Sequence, residues 1–275
     1  LIIIDLNKKS LTSNLATNII DWIQQNKMLI KTPSQIEKMS YAGKLLAKLL
    51  NELKNYTYSG MDAYELEKKT ILFLDKYHVT SPFLNFSEYP YNICVSINEE
   101  IVHGFPSKGK IIKEGDIVSI DAGIKYKGYC TDSAISFFIG KLSGQIRKLV
   151  DVKEKSLELA IAAMRPGVKV GYIQSIVGNH IINANLGLIK DLTGHGIGKT
   201  LQEPPQIPNY GNPNKGLVLQ PGMTFCIEPM VNCGDGKIAI MEDGWTIVSS
   251  DESLAAHFEH TILVTQKGAK VLTKL

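Results

Sequence analysis

The sequence predicts an α/β fold of the α+β type, in which two similar halves share an antiparallel sheet backed by helices. The main observation is an order of elements that occurs twice. Two helices are followed by strands over 34–140, and again over 143–275. Turn signals inside both strand regions indicate hairpins, so neighbouring strands are expected to run antiparallel. The two halves are not similar enough residue by residue to establish an internal repeat.

Four predicted helices follow from capping and stop signals. A capping box, Ser34-Gln-Ile-Glu37, predicts a helix over about 34–54, and Asp62 is the expected cap of a second helix. In the second half, helices are predicted over about 143–164 and 171–185, each stopped by a glycine. The apolar side of the second helix is expected to consist of Leu66, Ile71, Leu72 and Leu74.

A hairpin that carries two aspartates is predicted in the first half. Val118–Ile124 and Tyr129–Phe138 are rich in β-branched and aromatic residues, and Tyr126-Lys127-Gly128 between them is typical of a tight turn. In an antiparallel hairpin the position numbers of a cross-strand pair add to a constant, about 253 for a turn at this place. Asp121 and Asp132 satisfy this relation, so they are predicted to lie opposite each other.

Two facing carboxylates repel each other and need a counter-charge, which a divalent metal ion would supply. The alternative is a register shifted by one residue. That shift would turn Asp121 and Asp132 to opposite faces of the hairpin, as ordinary polar positions. The hairpin alone does not decide between the two.

Two glutamates of the second half also lie in predicted strands. Glu228 ends the strand Met223–Glu228, on the same face as Cys226. Glu259 lies in the predicted strand His257–Val264, which is otherwise largely apolar. A carboxylate on an apolar strand face is unusual, although either position could also be a solvated edge.

A histidine with glycines on both sides, His195, occurs in the segment Thr193–Thr200. The segment misses the phosphate-loop pattern because residue 193 is threonine, and it misses the dinucleotide pattern because residue 199 is lysine. The glycines leave the backbone accessible, which suits an imidazole presented to a ligand in a cleft. The alternative is a structural histidine in a glycine-rich turn.

The composition excludes several classes of protein. The 275 residues carry a net charge of only +3, without the long basic runs of a nucleic-acid-binding surface. No apolar stretch approaches the about 20 residues that span a bilayer, so a soluble protein is expected. The four cysteines lack CxxC spacing, which favours buried thiols in a reducing compartment over disulfides or a structural zinc.

Residues 1–27 differ from the rest of the chain, because organised sequence begins after Met28. They lack the basic start and the cleavage site of a signal peptide. We expect a domain over 28–275 and an N-terminal segment that is not part of the native domain. The alternative is an amphipathic helix over Ser13–Gln25.

Five residues and their neighbours closely resemble the metal site of the type I methionine aminopeptidases. They are Asp121 in SIDAG, Asp132 in TDSA, His195 in TGHGIG, Glu228 in CIEPM and Glu259 in FEHT. The resemblance extends to IKTPSQIEKM, NICVSINEEIVHGFP, LQPGMTFCIEPM and DGWT, and covers 28–275. It implies the pita-bread fold and removal of the initiator methionine from nascent proteins, with a preference for a small second residue.

The resemblance also implies a role for each ligand. Asp132 and Glu259 would bridge two divalent ions, Asp121 would hold one ion, and His195 with Glu228 would complete the other. Four carboxylates and one imidazole carry about four negative charges, which two such ions would neutralise, and ions of this kind lower the pKa of bound water. The five positions include no thiol, so Co, Mn and Fe suit them at least as well as Zn.

Further positions follow from the same resemblance. His103 would hydrogen-bond the scissile amide, and Glu228 would also shuttle protons. Gln202 stands where the family has a histidine that contacts the reacting carbonyl. The side-chain pocket would be lined by Phe83, Phe86, Tyr89, Cys94, Leu201 and Trp245.

Two other functions remain open at this point. One is a prolidase or aminopeptidase P, which shares the fold and the five ligands; the other is a weakly active or non-catalytic pita-bread binding protein. The main hypothesis expects a cytoplasmic monomer that acts on the N-terminal methionine of nascent chains, including chains at the ribosome. It expects no partnership with nucleic acid or membrane.

Overall fold

A computed structural model describes residues 30–141 and 144–275. Within them the two predicted helix pairs are present as α1 (Pro33–Tyr56), α2 (Tyr64–Tyr77), α3 (Gly144–Ala163) and α4 (Val170–Asn183). The strands of the first half are β1 (Ile93–Ile97), β2 (Glu100–Val102), β3 (Ile117–Tyr126) and β4 (Tyr129–Phe138). Those of the second half are β5 (Gly187–Leu188), β6 (Thr193–Gly196), β7 (Glu203–Pro208), β8 (Thr224–Ile227), β9 (Met230–Asn232), β10 (Ile238–Ile240), β11 (Ile247–Ser249), β12 (Ala255–His257), β13 (His260–Thr265) and β14 (Gly268–Val271).

The predicted α+β fold of two helix-backed halves is confirmed. Strands β1, β3 and β4 form an antiparallel sheet against α1, whereas β14, β13, β8, β6 and β7 form a five-stranded sheet in the second half. Two smaller sheets, β10-β11-β2 and β12-β9-β5, complete the strand layer. None of the helices in the described ranges has the length and apolar composition needed to cross a membrane.

The two halves meet at a seam between β4 and the start of β13. The backbones of Ala134 and Glu259 exchange two hydrogen bonds, of 3.0 and 3.3 Å. Two residues along, the hydroxyl of Thr261 accepts from the N–H of Asp132 at 2.9 Å and donates to its carbonyl at 2.8 Å. The Ser133 hydroxyl donates to the Glu259 carbonyl at 2.6 Å. This seam, Asp132–Ala134 against Glu259–Thr261, brings a carboxylate of each half together.

The predicted register of the β3–β4 hairpin is wrong, because each residue of β3 pairs two positions further along β4 than expected. Asp121 pairs with Ala134 and Asp132 pairs with Gly123, so the aspartates are diagonal neighbours rather than direct partners. The turn contains only Lys127 and Gly128, both with positive φ (46° and 81°), which centres it later than expected. Because the side-chain period along a strand is two, both aspartates still lie on one face.

Two details of the helix predictions are also wrong. The capping box of α1 consists of Thr32 and Gln35, because Pro33 occupies the first helical position. In α2, Ile71 and Leu72 are 40% and 70% exposed, and the buried side is formed by Leu66, Glu67, Thr70, Phe73 and Leu74. The predictions for residues 1–27 and for a helix start at Ser143 concern residues outside the described ranges.

Helix α1 closely approaches the segment around Leu272, which hydrogen-bonds to Thr261 of the seam. The N–H of Leu272 donates to the Thr261 carbonyl at 2.9 Å, and a Cβ at Gly43 of α1 would lie 2.3 Å from the Leu272 carbonyl oxygen. Glycine at this position therefore allows the helix backbone to pack against the strand that fixes Thr261.

We expect Gly43→Ala to destabilise the protein by about 1–3 kcal/mol, because the added methyl must push Leu272 away from α1. Chemical denaturation measures this difference. The matched control is Gly144→Ala in α3, where a Cβ would meet no atom within 4 Å and the change should stay within about 0.5 kcal/mol. Equal stabilities of the two variants would contradict the predicted close contact.

Candidate metal centre and active site

All five predicted ligands line one cavity of about 510 Å³ between the halves. Asp121 and Asp132 extend from the β3–β4 hairpin, His195 from β6, and Glu228 follows β8. Glu259 lies in the short break between β12 and β13. Asp132, His195 and Glu259 are at most 5% exposed, so ordinary solvation of their charges is excluded.

The distances around His195 are those of groups that can share an ion. Its Nε2 lies 3.6 Å from Glu228 Oε1 and 4.0 Å from Asp132 Oδ2, beyond hydrogen-bond range. Its Nδ1 lies 2.9 Å from the carbonyl oxygen of Gly196. Donation from Nδ1–H to that carbonyl leaves the lone pair of Nε2 directed at the carboxylates, as a metal-ligating histidine requires.

Burial disfavours the charged form of the carboxyl groups in this cluster. Burial raises the pKa of Asp121 to about 7. Burial, and next the neighbouring carboxylates, raise the pKa values of Asp132, Glu228 and Glu259 well above their ordinary range. Burial also lowers the pKa of His195 to about 4, which keeps the imidazole neutral near pH 7. The cluster therefore lacks a positive charge among its own members.

The cluster fits divalent metal ions. One oxygen each of Asp121, Asp132 and Glu259 is buried without a hydrogen-bond partner. Ligand atoms of Asp132, His195 and Glu259 lie within 4.8 Å of one another. Unpartnered buried oxygens are costly, and a cation between them would satisfy them and offset the repulsion among the carboxylates.

An apolar pocket adjoins this cluster in the same cavity. Its wall includes every side chain predicted for it, namely Phe83, Phe86, Tyr89, Cys94, Leu201 and Trp245. The rings of Tyr89 and Trp245 meet edge to face with centroids 5.0 Å apart. The Tyr89 hydroxyl donates to the Ile93 carbonyl at 3.0 Å, which fixes the ring while leaving its apolar body in the wall.

His103 and Gln202 also line the cavity. The His103 ring lies 6.1 Å from the Trp245 ring, and its Nδ1 is buried without a hydrogen-bond partner. His103 has a φ of 60°, a strained conformation for a residue other than glycine, of the kind found at functional sites. Burial lowers the pKa of His103 to about 4, so the ring is neutral near pH 7.

The profile of metallopeptidase family M24 matches residues 37–266. The chain belongs to this family. Membership implies that the protein is a peptidase that binds divalent metal ions, for which the carboxylate and imidazole cluster offers candidate ligands.

Similar proteins narrow the choice within the family. A methionine aminopeptidase of Mycoplasma capricolum is 46% identical over 246 residues, covering 89% of this chain and 98% of the relative. The crystal structure of a Thermotoga maritima methionine aminopeptidase superposes with a TM-score of 0.88 at 45% identity, covering 90% of this chain and 99% of that one. A Pyrococcus furiosus prolidase reaches a TM-score of 0.77 at 22% identity, covering 98% of this chain and 75% of that one, and shares the fold alone. The resemblance found from the sequence is confirmed, and the methionine aminopeptidases are favoured over the prolidases.

The structure places two further side chains at the centre of this metallopeptidase. His257 is 2% exposed, with Nε2 3.6 Å from Glu228 Oε2 and 4.0 Å from Glu259 Oε2. The Cys226 thiol lies within 4.8 Å of ligand atoms of Asp132, His195 and Glu259. The surroundings of the five ligands thus include the Cys226 thiol, which strand alternation places on the face of Glu228 but which was not predicted near the metal site. His257 was not predicted there either, although it lies two positions from Glu259.

A buried ion pair supports the loop that carries Gln202. Lys31 Nζ lies 2.8 Å from Glu203 Oε2, with side chains only 4% and 3% exposed. The other oxygen of Glu203 accepts from the backbone N–H groups of Lys199 and Thr200, at 2.7 and 3.3 Å. Glu203 therefore fixes the glycine-rich turn between His195 and Gln202.

The pKa shifts predict how pH changes the stability of the metal-free metallopeptidase. A carboxyl group whose pKa is raised on folding stabilises the protein below its unfolded pKa, and this contribution is lost as pH rises through the folded pKa. Asp121 loses it by about pH 7, and Asp132, Glu228 and Glu259 at higher pH. The buried histidines act in the opposite direction, but only below their ordinary pKa of about 6.5.

We therefore expect the Tm of chelator-treated protein to fall by about 5 °C or more between pH 7 and pH 8.5. Saturating Mn²⁺ should abolish this fall, because the ions stabilise the ionised carboxylates. Differential scanning calorimetry at the two pH values, with and without Mn²⁺, measures both effects. A Tm that is constant or rises with pH in the metal-free protein would show that the carboxylates do not titrate as described.

Proposed function

We propose that this metallopeptidase removes the initiator methionine from nascent polypeptides and prefers a small second residue. The observation that carries the proposal is the opening of the buried carboxylate cluster onto the aromatic pocket within one cavity. An unbranched thioether fits a pocket of aromatic rings and one thiol, since it is apolar, flexible and interacts well with aromatic edges. The Mycoplasma capricolum and Thermotoga maritima proteins that resemble this chain are methionine aminopeptidases.

The proposal assigns two divalent ions, of Co, Mn, Fe or Zn, to the cluster. Asp132 and Glu259 would bridge them, Asp121 would bind one, and His195 with Glu228 the other. When bound, such ions lower the pKa of water and so supply a nucleophile near neutral pH. The unpartnered buried oxygens of Asp121, Asp132 and Glu259 support this assignment.

The remaining chemistry is assigned to three side chains. Glu228 moves protons, since its carboxylate lies at the cavity wall and is 12% exposed, compared with 6% for His195, 7% for Asp132 and 2% for Glu259. His103 hydrogen-bonds the scissile amide as a neutral imidazole, and its unpartnered Nδ1 supports that role. Gln202 donates a hydrogen bond from its amide to the reacting carbonyl, where the family has a histidine.

We also propose that 28–275 is the peptidase domain. The active protein is then a cytoplasmic monomer whose substrates are nascent chains at the ribosome. Buried thiols at Cys94, Cys130 and Cys226 are compatible with a reducing compartment.

A peptide series tests the proposed substrate. Met-Ala-Ser and Met-Gly-Ser should be cleaved, Met-Leu-Ser and Met-Lys-Ser at least about 10-fold more slowly by kcat/KM, and Ala-Pro and acetyl-Met-Ala-Ser not at all. Rates are measured by chromatography with Mn²⁺ or Co²⁺ added. Asp132→Asn is the inactive control, since it removes an assigned bridging ligand. Cleavage of Ala-Pro instead would indicate a prolidase, and no cleavage of any peptide would indicate a binding protein.

Substitutions of Gln202 test its assigned donor. Loss of one preorganised donor to a developing oxyanion typically costs about 10²-fold in rate, so Gln202→Ala should lower kcat substantially. Gln202→His should raise kcat above the parent with little change in KM, because a charge-assisted bond strengthens in the transition state. Steady-state kinetics on Met-Ala-Ser measures both, with the exposed Gln220→Ala as control. Parent-like kcat for Gln202→Ala would remove Gln202 from the mechanism.

A further inference from the structure

The side chain of His257 is buried beside the carboxylate cluster, yet no hydrogen bond accounts for its Nε2 atom. The backbone is held from both sides: its N–H donates to Ser136 Oγ at 3.0 Å, and Ser136 Oγ donates to its carbonyl at 2.7 Å. The side chain is 2% exposed, and Nε2 is buried without a hydrogen-bond partner. A fixed backbone with an unpartnered, buried imidazole nitrogen indicates that the nitrogen has a partner of another kind.

The position of Nε2 repeats that of an assigned metal ligand. His195 Nε2 lies 3.6 Å from one oxygen of Glu228 and 4.0 Å from Asp132. His257 Nε2 lies 3.6 Å from the other oxygen of Glu228 and 4.0 Å from Glu259. The two imidazoles thus flank the Glu228 carboxylate, one at each oxygen. Each also faces one of the two carboxylates that are assigned as bridges.

These distances fit ligation better than hydrogen bonding. Metal–nitrogen and metal–oxygen bonds of about 2.0–2.2 Å place two ligand atoms of one ion about 2.9 Å apart at right angles and about 4.2 Å apart in opposition. The two separations measured for His257 lie inside this interval. Both exceed the length of a good N–H···O bond, about 2.7–3.2 Å.

We propose that His257 is a sixth protein ligand of the metal centre and binds, through Nε2, an ion held with Glu228 and Glu259, since ligand atoms of these three residues lie within 4.8 Å of one another. The donor set then contains four carboxylates and two imidazoles. A second imidazole adds no charge and increases the nitrogen character of that ion's site relative to the one assigned to Asp121. The two ions would therefore differ in affinity, with the tighter ion on the side of the histidines.

Paramagnetic NMR of the Co²⁺-loaded full chain tests this inference, which rests on the metal centre proposed above. A ligated imidazole shows a strongly shifted, exchangeable ring N–H resonance, so the parent protein should show two. His257→Gln should lose one of them, His195→Gln should lose the other, and both should persist in His260→Gln. His260 is the matched control, since it is a partly buried histidine that contacts Thr273 at 2.9 Å. Calorimetric titration with Co²⁺ should show an affinity at least about 10-fold weaker in His257→Gln.

The possible results of these experiments distinguish ligation by His257 from the existence of the metal centre itself. One shifted resonance in the parent, lost only in His195→Gln, would overturn ligation by His257 while leaving the metal centre intact. Two resonances in the parent support the inference even where His257→Gln fails to fold, because the count needs no variant. Absence of Co²⁺ binding in the parent would overturn the metal centre itself and His257 ligation with it.

Discussion

The site depends on the hydrogen-bonded seam between the two halves. The backbone pair of Ala134 and Glu259, extended by the Thr261 hydroxyl at Asp132, holds a carboxylate of the first half beside one of the second. Like charges would otherwise separate such strands. Every member of the seam except His260 is buried, so its hydrogen bonds are shielded from water and the spacing of the two carboxylates is firmly set.

This constraint has an electrostatic consequence for the whole fold. Four buried carboxylates cannot all be ionised without a counter-charge, and the raised pKa values express that cost. The metal-free protein near neutral pH therefore retains protons where the loaded protein has cations. Metal binding, protonation and stability are linked at this one place, and the cost of assembling the carboxylates is recovered only when ions bind.

Much of this site could be predicted from the sequence, because strand alternation and short motifs are local properties. The helix pairs follow from local patterning, whereas the candidate ligands and pocket residues follow from short motifs that resemble those of a known family. The register of the hairpin was not predicted correctly, since the two-residue turn of Lys127 and Gly128, both with positive φ, lies later in the chain than the sequence pattern indicates. The seam joins residues more than a hundred positions apart, and no local pattern encodes it.

His257 and Cys226 each lie two positions from a predicted ligand. Alternation places Cys226 on the face of Glu228, but it does not show that either side chain reaches the carboxylate cluster. Their burial and their neighbours across the seam decide their importance, and those depend on the tertiary structure. A family motif predicts candidate ligand positions. The side chains that surround those positions depend on tertiary contacts that are particular to this chain.

Each half of the fold contributes a different set of residues to the cavity at the seam. The first half supplies the two aspartates, His103 and most of the aromatic pocket, whereas the second supplies His195, Glu228, Glu259, Gln202 and Trp245. Neither half holds both the methionine pocket and a complete ligand set, so proposed binding and cleavage both require the seam. Trp245 illustrates the coupling: its backbone N–H donates to Asp243 Oδ1 in the second half at 2.8 Å, while its ring packs against Tyr89 of the first. A displacement of one half would thus alter the pocket and the carboxylate cluster together.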